Sequence, residues 1–306
     1  MSAITFKAVN PSTVASQQNF DVMEIENEFC RAVITRQGAQ ILSFERKIKS
    51  AETDVVDVKS LLWCSELSLQ QFLDDLKSDR KTKAIRGGIP LCFPWFGGHL
   101  TDAKLPSHGF ARTQLWDLTS VDESAQGHQL VFTLQNDAIT DLLWHHQFRL
   151  TLSMTCSEQL HLVLGIENVG DTDFDCEFAW HSYFPVNAIE SVKIDGLQGK
   201  KFLDQLTNET YVQQHTQIQF DQETDRIYQD VAGNYQIHDG LRQIDIQTKN
   251  CKSVIVWNPW VEKTQRLGDL AEQAWRDFVC LECADVQDNR LHIKAGQCIQ
   301  FSMTIF

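Results

Sequence analysis

Phe148 to Thr155 read F-R-L-T-L-S-M-T, a stretch in which apolar and polar side chains alternate at every position. After the polar turn Ser157 to Gln159, the alternation resumes in L-H-L-V-L, Leu160 to Leu164. A period of two is typical of a strand with one buried face, and two such runs joined by a short polar turn predict a β-hairpin. This hairpin decides the fold class that we expect for the chain.

Similar strand-like runs recur along the sequence, namely Gln129 to Leu134, Val192 to Ile194, Gln243 to Gln247, Ser253 to Trp257 and Phe278 to Glu282. Near the end of the sequence, Arg290 to Lys294 and Cys298 to Phe306 flank the turn Ala295 to Gln297 and predict a second hairpin. Helical periodicity is scarce, with two short candidates at Leu67 to Leu76 and Asp269 to Trp275. Many short strands and few helices predict an all-β chain that forms a large antiparallel sandwich.

The chain shows no internal division. No repeat, low-complexity tract or linker rich in Pro, Gly and Ser interrupts the 306 residues, and we therefore expect a single domain over residues 1–306. Prolines and glycines concentrate instead in Arg86 to Gly109, where they are interleaved with aromatic residues. This composition predicts a long, rigid loop system, and loops held by a rigid scaffold often carry function.

Composition and charge exclude several classes of partner. Lys and Arg number 27 against 41 Asp and Glu, a formal charge of −14, which argues against nucleic-acid binding. No apolar run reaches the roughly 18 residues of a membrane span, and the first twenty residues lack the apolar core of a secretory signal. The nine cysteines, an odd number scattered through apolar segments, indicate reduced thiols. We expect a cytoplasmic monomer with no membrane partner.

Two glycine-containing motifs could bind a ligand. Ile85 to Pro90, I-R-G-G-I-P, is not a phosphate-binding P-loop, because no Lys and Ser/Thr follow the glycines. It forms either a tight turn with a solvated Arg86, or a site where a ligand approaches the backbone and Arg86 donates to a hydroxyl or phosphate. Ser107 to Arg112, S-H-G-F-A-R, leaves similar alternatives: His108 and Arg112 are structural and surface residues, or they face the same ligand.

Two further segments carry groups that could transfer protons. His181 lies among aromatic residues in F-A-W-H-S-Y-F-P, where it is either a hydrogen-bonded core residue or a general acid or base. Glu282 interrupts the apolar run F-V-C-L-E-C-A. If the strand continues, a carboxylate there is costly to bury unless it is paired or its pKa rises, and a raised pKa is what general acids and bases require. The alternative is that the strand ends at Glu282 and the carboxylate meets water. Cys280 and Cys283 form a C-x-x-C without a second ligand pair, so we expect no metal site.

Several of these motifs occur together in one order: I-R-G-G-I-P-L-C-F-P-W-F-G, S-H-G-F-A-R, T-D-R-I-Y, W-N-P-W and V-C-L-E-C-A. From about Leu62 onward, the chain resembles the hexose-6-phosphate mutarotases, also called glucose-6-phosphate 1-epimerases, of the aldose 1-epimerase superfamily. The resemblance implies a galactose-mutarotase-like β-supersandwich. It also implies that the substrate is a small sugar phosphate, whose α and β anomers interconvert without a metal or other cofactor.

Carried over residue by residue, the resemblance makes His181 the catalytic histidine and Glu282 the catalytic carboxylate. The substrate-binding residues that it implies are Arg86, Ser107, His108, Arg112 and Asp225. Three alternatives stay open at this point. The chain could be an aldose 1-epimerase of unphosphorylated sugars, a non-catalytic carbohydrate-binding or sensor protein, or a structural β-sandwich that binds a protein partner.

Overall fold

Antiparallel strands are the main secondary structure of the computed structural model, which describes residues 3–7, 21–49, 56–78, 80, 83–231 and 233–306. The strands are β1 (Ala3–Lys7), β2 (Val22–Glu26), β3 (Cys30–Thr35), β4 (Gln40–Lys49), β5 (Val56–Ser60), β6 (Leu91–Cys92), β7 (Asp117–Ser124), β8 (Gly127–Gln135), β9 (Phe148–Cys156), β10 (Leu160–Asn168), β11 (Phe174–Cys176), β12 (Phe178–Trp180), β13 (Tyr183–Pro185), β14 (Lys193–Asp195), β15 (Lys201–Asp204), β16 (Glu209–Val212), β17 (Thr224–Tyr228), β18 (Asn234–His238), β19 (Gln243–Lys249), β20 (Ser253–Asn258), β21 (Phe278–Asp285), β22 (Leu291–Ile293) and β23 (Cys298–Ile305). The helices are α1 (Glu66–Lys77), α2 (Ala138–Leu143) and α3 (Trp260–Arg266).

Two eight-stranded sheets form the body of the fold. Sheet 1 has the order β14-β18-β19-β23-β10-β9-β8-β7, and sheet 2 contains β16-β15-β17-β20-β21-β12-β6, with β13 paired to β21. Side chains from both sheets form the main core, where the ring centroids of Phe178 and Phe301 lie 4.3 Å apart. A five-stranded sheet (β1 to β5) and the pair β11–β22 complete the described structure. The prediction of an all-β sandwich with a few short helices is confirmed.

The hairpin that decided the fold class is confirmed as β9 and β10, which pair in antiparallel register with Leu152 opposite Leu164. Buried and partly buried residues alternate along all nine residues of β9. The second predicted hairpin is wrong, because β22 pairs with β11 while β23 pairs with β10 and β19. The eight-residue strand β23 forms eight residue pairs with β10. β22 has only three residues and is too short to form a ladder of that length with β23. Alternation identifies a strand without identifying its neighbour.

The helix predictions have mixed outcomes. The candidate at Leu67 to Leu76 is confirmed as α1, whose N-cap is Ser65. The candidate at Asp269 to Trp275 is wrong, since the chain there turns repeatedly and forms a single 3₁₀ turn at Ala274–Arg276. The side chain of Asp269 is bonded to another part of the molecule, which fixes this segment in a non-helical path. Helix α2 was missed, although its capping box at Asp137 is a recognisable signal.

Strand β21 is buried on both faces, which explains its nearly continuous apolar sequence. Because successive side chains of a strand point to opposite faces, Leu281 and Cys283 enter the main core. Cys280 and Ala284 enter a second apolar cluster on the far face of sheet 2, together with residues such as Trp257. We call this second group the outer cluster. Its members are Cys92, Phe96, Ala179, Tyr183, Ile227, Ile255, Trp257, Leu270, Ala274, Phe278, Cys280, Ala284 and Val286.

The segment from Arg86 to Gly109 contains only one short strand, β6, as expected of a loop system. Its far end is held against its middle where Gly109 bridges to Phe93. The backbone N–H groups of Phe110 and Ala111 both donate to the Phe93 carbonyl oxygen, at 2.9 and 3.2 Å. A Cβ on Gly109 would lie 2.0 Å from that oxygen. Only glycine permits this approach of the two backbones.

We expect Gly109→Ala to destabilise the protein more than Gly97→Ala. Both glycines have φ +70, so both substitutions incur the left-handed strain of about 1–2 kcal/mol. A Cβ at Gly97 meets nothing within 4 Å, whereas at Gly109 it overlaps backbone, which adds about 1–3 kcal/mol. Denaturant unfolding of the two variants measures the difference. Equal free energies of unfolding would contradict the close approach at Gly109.

A second prediction concerns Asp285, which is 1% exposed at the end of β21. Burial raises its pKa from 3.8 to about 6, although the N–H of Lys252 opposes the shift by donating to the carboxylate. A raised pKa in the fold means that stability is lost as the pH rises from about 4 to about 6. Relative to wild type, Asp285→Asn should therefore gain up to about 3 kcal/mol over that interval and no more above it.

Unfolding by urea at several pH values between 4 and 8 tests this expectation. The control is Asp288→Asn, because Asp288 is exposed and lies only three residues further along the chain. A free-energy difference that does not change with pH in Asp285→Asn, or changes equally in the control, would contradict it.

Candidate active site

His181 lies directly across sheet 2 from Glu282. β12 pairs with β21 so that Trp180 is opposite Cys283, and β13 continues on β21 in the same register. The residue after Trp180 therefore faces Glu282, with His181 Nδ1 3.5 Å from Glu282 Oε1. The N–H of His181 donates to the Pro90 carbonyl oxygen at 2.9 Å. This hydrogen bond attaches the loop system to the chain between β12 and β13. Strand pairing alone brings together two side chains that are far apart in sequence.

The His181 ring is buried and held by its neighbours. It stacks on Tyr183 with centroids 4.8 Å apart and an angle of 8° between the planes. Burial lowers the pKa of His181 well below its ordinary value, and the nearby His108, Arg112 and Arg86 lower it further. Its Nδ1 atom is buried without a hydrogen-bond partner among the described residues. The unliganded site therefore holds a neutral imidazole with an unused ring nitrogen.

Glu282 is 1% exposed, and the strand does not end at it. The hypothesis that Glu282 meets water at a strand terminus is wrong, because β21 continues to Asp285 between β20 and β12. Burial raises the pKa of Glu282 well above its ordinary value, with Asp225 raising it further and Arg112 opposing the shift. The Oε2 atom has no hydrogen-bond partner in the described structure. A carboxyl group here keeps its proton more readily than one in water.

Asp225 reaches the same face of sheet 2 from β17, two strands away from β21. It pairs with Trp257, which in turn pairs with Cys280, so the three side chains form one row across the sheet. Burial raises the pKa of Asp225, whereas Gln205, which donates to its carboxylate, and Lys263 at 3.8 Å oppose the shift. The carboxylate is thus already partnered from two directions.

Arg86 borders the site between Tyr183 and Asp269. Its Nε donates to Asp269 Oδ1 at 2.9 Å and its Nη1 donates to the Tyr183 hydroxyl at 3.3 Å. The guanidinium lies 5.9 Å from the ring centroid of Trp257. Burial disfavours the charge, yet Tyr183 and Asp269 together raise the pKa of Arg86 above its ordinary value. Ser65, the N-cap of α1, donates to the Asp269 carbonyl oxygen, so α1 steadies the partner of Arg86.

The S-H-G-F-A-R segment approaches from the loop system. The Nη2 atom of Arg112 donates to the carbonyl oxygen of Ser107 at 2.7 Å, and the Ser107 residue is exposed. The ring of His108 lies 5.6 Å from the ring of His181, and its Nδ1 accepts from the Gly97 N–H at 3.3 Å. Burial, with Arg112 and Arg86, lowers the pKa of His108 to about 3. His108 is therefore a neutral ring fixed by the backbone.

The structure therefore places six of the seven residues predicted for the site around one centre, with contacts or electrostatic effects that join them. Ser107 contributes its carbonyl oxygen to this group through Arg112. Sequence reasoning missed Asp269, which it assigned to a helix, and gave no role to Tyr183 and Trp257. The motifs W-H-S-Y-F and W-N-P-W contained the last two, but no local pattern links Asp269 with Arg86, 183 residues away.

The C-x-x-C motif does not act as a pair. A spacing of three along a strand places Cys280 in the outer cluster and Cys283 in the main core. The two sulfurs cannot bind one metal ion or form a redox disulfide without breaking β21. Only Cys280 shares the face of sheet 2 that carries His181 and Glu282, and the donor atoms of these three residues lie within 4.8 Å of one another.

Chemically, the site combines a carboxyl group and an imidazole in contact, two guanidinium groups, a further carboxylate and several aromatic rings. The contacting pair can remove a proton from one atom of a ligand and deliver a proton to another. The guanidinium groups suit an anion, and the aromatic rings suit the apolar face of a sugar. The described structure contains no helix that is long and apolar enough to cross a membrane.

Comparison with known proteins gives a consistent result. A family model described as aldose 1-epimerase matches residues 21–305. A protein of Salmonella typhimurium with the provisional name glucose-6-phosphate 1-epimerase is 32% identical over 272 residues, which cover 86% of this chain and 83% of that protein. An Escherichia coli K12 protein with the same provisional name is 30% identical over 280 residues, which cover 89% of this chain and 87% of that protein.

Similarity extends to solved structures. The crystal structure of a provisionally named mutarotase from Salmonella typhimurium superposes with a TM-score of 0.80 at 28% identity, and the match covers 93% of this chain and 90% of that one. A Synechocystis protein of 17% identity superposes with a TM-score of 0.75 and supports the fold alone. The galactose-mutarotase-like sandwich expected from the sequence is confirmed.

Proposed function

The chain belongs to the aldose 1-epimerase family, and from this premise we propose that it interconverts the α and β anomers of an aldohexose 6-phosphate, with glucose 6-phosphate as the expected substrate. The observation that carries the proposal is the contact between His181 Nδ1 and Glu282 Oε1 at 3.5 Å, close to the guanidinium groups of Arg86 and Arg112. Relatives with provisional glucose-6-phosphate 1-epimerase names support the choice of substrate class.

In the proposed reaction, the acid–base pair holds one proton, which moves from Glu282 to His181 when the substrate binds. The Glu282 carboxylate then takes the proton of the C1 hydroxyl, and the His181 imidazolium gives a proton to the ring oxygen. The C1–O5 bond breaks and the open aldehyde forms. Rotation about C1–C2 presents the other face of the carbonyl, and the two groups then act in reverse to close the ring. Each group alternates between acid and base, which a pair of adjacent titratable side chains can do without any other reagent.

The charges around His181 favour a phosphorylated substrate. In the unliganded protein, Arg112 and Arg86 are among the causes of the low pKa of His181. A phosphate dianion bound by these arginines offsets their charge, so it raises the pKa of His181 and makes the protonated imidazole available. The substrate would thereby prepare the acid that it needs. An unphosphorylated sugar offers no such charge.

Arg112 is the better candidate for the principal phosphate ligand. Arg86 already has a carboxylate partner in Asp269. Within the described residues, no carboxylate lies within 4.0 Å of the Arg112 side chain, which donates to a backbone oxygen instead. The formal charge of −14 makes a local cation necessary for binding a dianion, and salt screens the remaining charges beyond about 8 Å. Asp225 is left to accept from sugar hydroxyls.

A third prediction tests the acid–base pair. Glu282→Gln and His181→Asn should each lower the rate of anomer exchange of glucose 6-phosphate by about a hundredfold or more, because each removes one proton-transfer group. Exchange NMR at the anomeric proton measures the rate. The control is Asp285→Asn, which alters a buried carboxylate of the same strand on its other face.

Three outcomes would contradict this scheme. The control could lose as much activity as Glu282→Gln, which would point to a damaged strand. Wild type could bind the sugar phosphate and exchange no anomers, as a sensor would. Finally, the sugar phosphate could leave the melting temperature unchanged, as expected of a structural protein.

A fourth prediction tests the binding of the phosphate. We expect Arg112→Gln to raise KM for glucose 6-phosphate by about ten- to a hundredfold, the usual value of a lost charge-assisted hydrogen bond, and to change KM for free glucose little. Arg276→Gln, which removes an exposed arginine paired with Glu190, is the matched control. If KM rises equally for both sugars, Arg112 does not bind the phosphate.

A further inference from the structure

Cys280 is a buried thiol whose sulfur lies within 4.8 Å of a donor atom of His181 and of Glu282, and no step of the proposed reaction uses it. It pairs with Tyr183 on one side and with Trp257 on the other, in the row next to His181 and Glu282. One ligand atom from each of Cys280, His181 and Glu282 lies within 4.8 Å of the other two. We refer to these three residues as the His–Cys–Glu cluster.

Two atoms of this cluster make no hydrogen bond within the described structure. His181 Nδ1 and Glu282 Oε2 are buried, and neither has a hydrogen-bond partner among the described residues. A buried polar atom without a partner is costly, by about 1–3 kcal/mol. Both atoms have lone pairs that can bind a cation. The arrangement therefore has the character of a ligand site as well as of a catalytic pair.

The spacing suits a tetrahedral metal ion. Metal–nitrogen and metal–oxygen bonds of about 2.0–2.1 Å at the tetrahedral angle hold the two donor atoms about 3.3–3.5 Å apart. The distance between His181 Nδ1 and Glu282 Oε1 is 3.5 Å, so these two ligands need no movement. A zinc–sulfur bond of about 2.3 Å asks for a sulfur about 3.6 Å from each of them. The donor atoms of the three residues lie within 4.8 Å of one another, so binding brings the sulfur closer by at most about 1 Å.

The donor set and its charge select the metal. One sulfur, one nitrogen and one oxygen donor suit Zn²⁺, whereas Mg²⁺ prefers oxygen donors alone. Binding releases the thiol proton of Cys280 and the carboxyl proton of Glu282 to solvent, so a thiolate and a carboxylate neutralise the ion in the buried site. The charges of Arg86 and Arg112 oppose the binding of a cation. Asp269 pairs with Arg86, and the thiolate and carboxylate ligands supply the remaining negative charge.

We propose that the His–Cys–Glu cluster binds one Zn²⁺ ion with a fourth position left to water, and that bound zinc inhibits the protein. The inhibition rests on the proposed function, because zinc occupies both members of the acid–base pair. The binding does not rest on it. Free zinc would then act as a reversible control on sugar isomerisation, and a thiol that takes no part in catalysis would set its sensitivity.

The test compares Cys280→Ser with Cys283→Ser, a change of the neighbouring buried thiol that faces the main core. Equilibrium dialysis should give one zinc ion per wild-type chain, and Cys280→Ser should weaken binding at least about tenfold, the loss that removal of even an outer partner causes. Cys283→Ser should bind as wild type. Cobalt, used as a coloured substitute, should show a thiolate charge-transfer band in wild type and Cys283→Ser but not in Cys280→Ser.

In the activity test, the rate of anomer exchange of each variant is measured with and without zinc. Each variant serves as its own reference, so differences in basal rate between variants do not affect the result. Zinc should inhibit wild type and Cys283→Ser at concentrations at least about tenfold below those needed for Cys280→Ser, and magnesium should not inhibit. Zinc that binds equally to both variants, or a cobalt complex without a thiolate band, would overturn the site. If Cys280→Ser does not fold, Cys280→Ala replaces it. If the protein does not catalyse anomer exchange, the proposed function is wrong, and the dialysis and cobalt results still test whether the His–Cys–Glu cluster binds zinc.

Discussion

A carboxyl group buried within an apolar sheet is the constraint on which the rest of the site depends. Glu282 is 1% exposed on a strand that is buried on both faces. An isolated carboxylate in such a place costs several kcal/mol, so the group either keeps its proton or finds a partner. Here burial raises the pKa of Glu282 so that the group keeps its proton, and His181 Nδ1 lies 3.5 Å from Oε1 without a hydrogen bond. The same cost that makes the residue unfavourable for folding gives it a pKa that suits proton transfer.

The surroundings of this group act on its charge from opposite sides. Asp225 raises the pKa of Glu282 and Arg112 lowers it, while Arg112 and Arg86 lower the pKa of His181. Asp269 in turn holds Arg86 at 2.9 Å. These effects come from β17, β21, the chain after β12, the loop system and the segment after α3. A ligand that brings negative charge therefore changes the protonation of the pair as well as its contacts.

Much of this could be predicted from local sequence and some of it could not. Period-two alternation identified β9 and β10, and the single polar residue in F-V-C-L-E-C-A identified Glu282. Alternation gave the wrong partner for β23, because pairing depends on the length and position of strands elsewhere in the chain. Asp269 was missed for a related reason, since the bond to Arg86 that defines its position spans 183 residues. The family resemblance supplied the roles of Arg112 and Asp225, which local pattern alone left open.

The unbroken register across β12, His181 and β13 restricts the sequence changes that this protein can accept. Only two residues separate Trp180 from Tyr183, and both flanking segments remain paired with β21. Adding or deleting one residue there would turn the imidazole to the opposite face of sheet 2, into the sandwich interior. In this protein, the short junction therefore tolerates the exchange of one amino acid for another but no change of length.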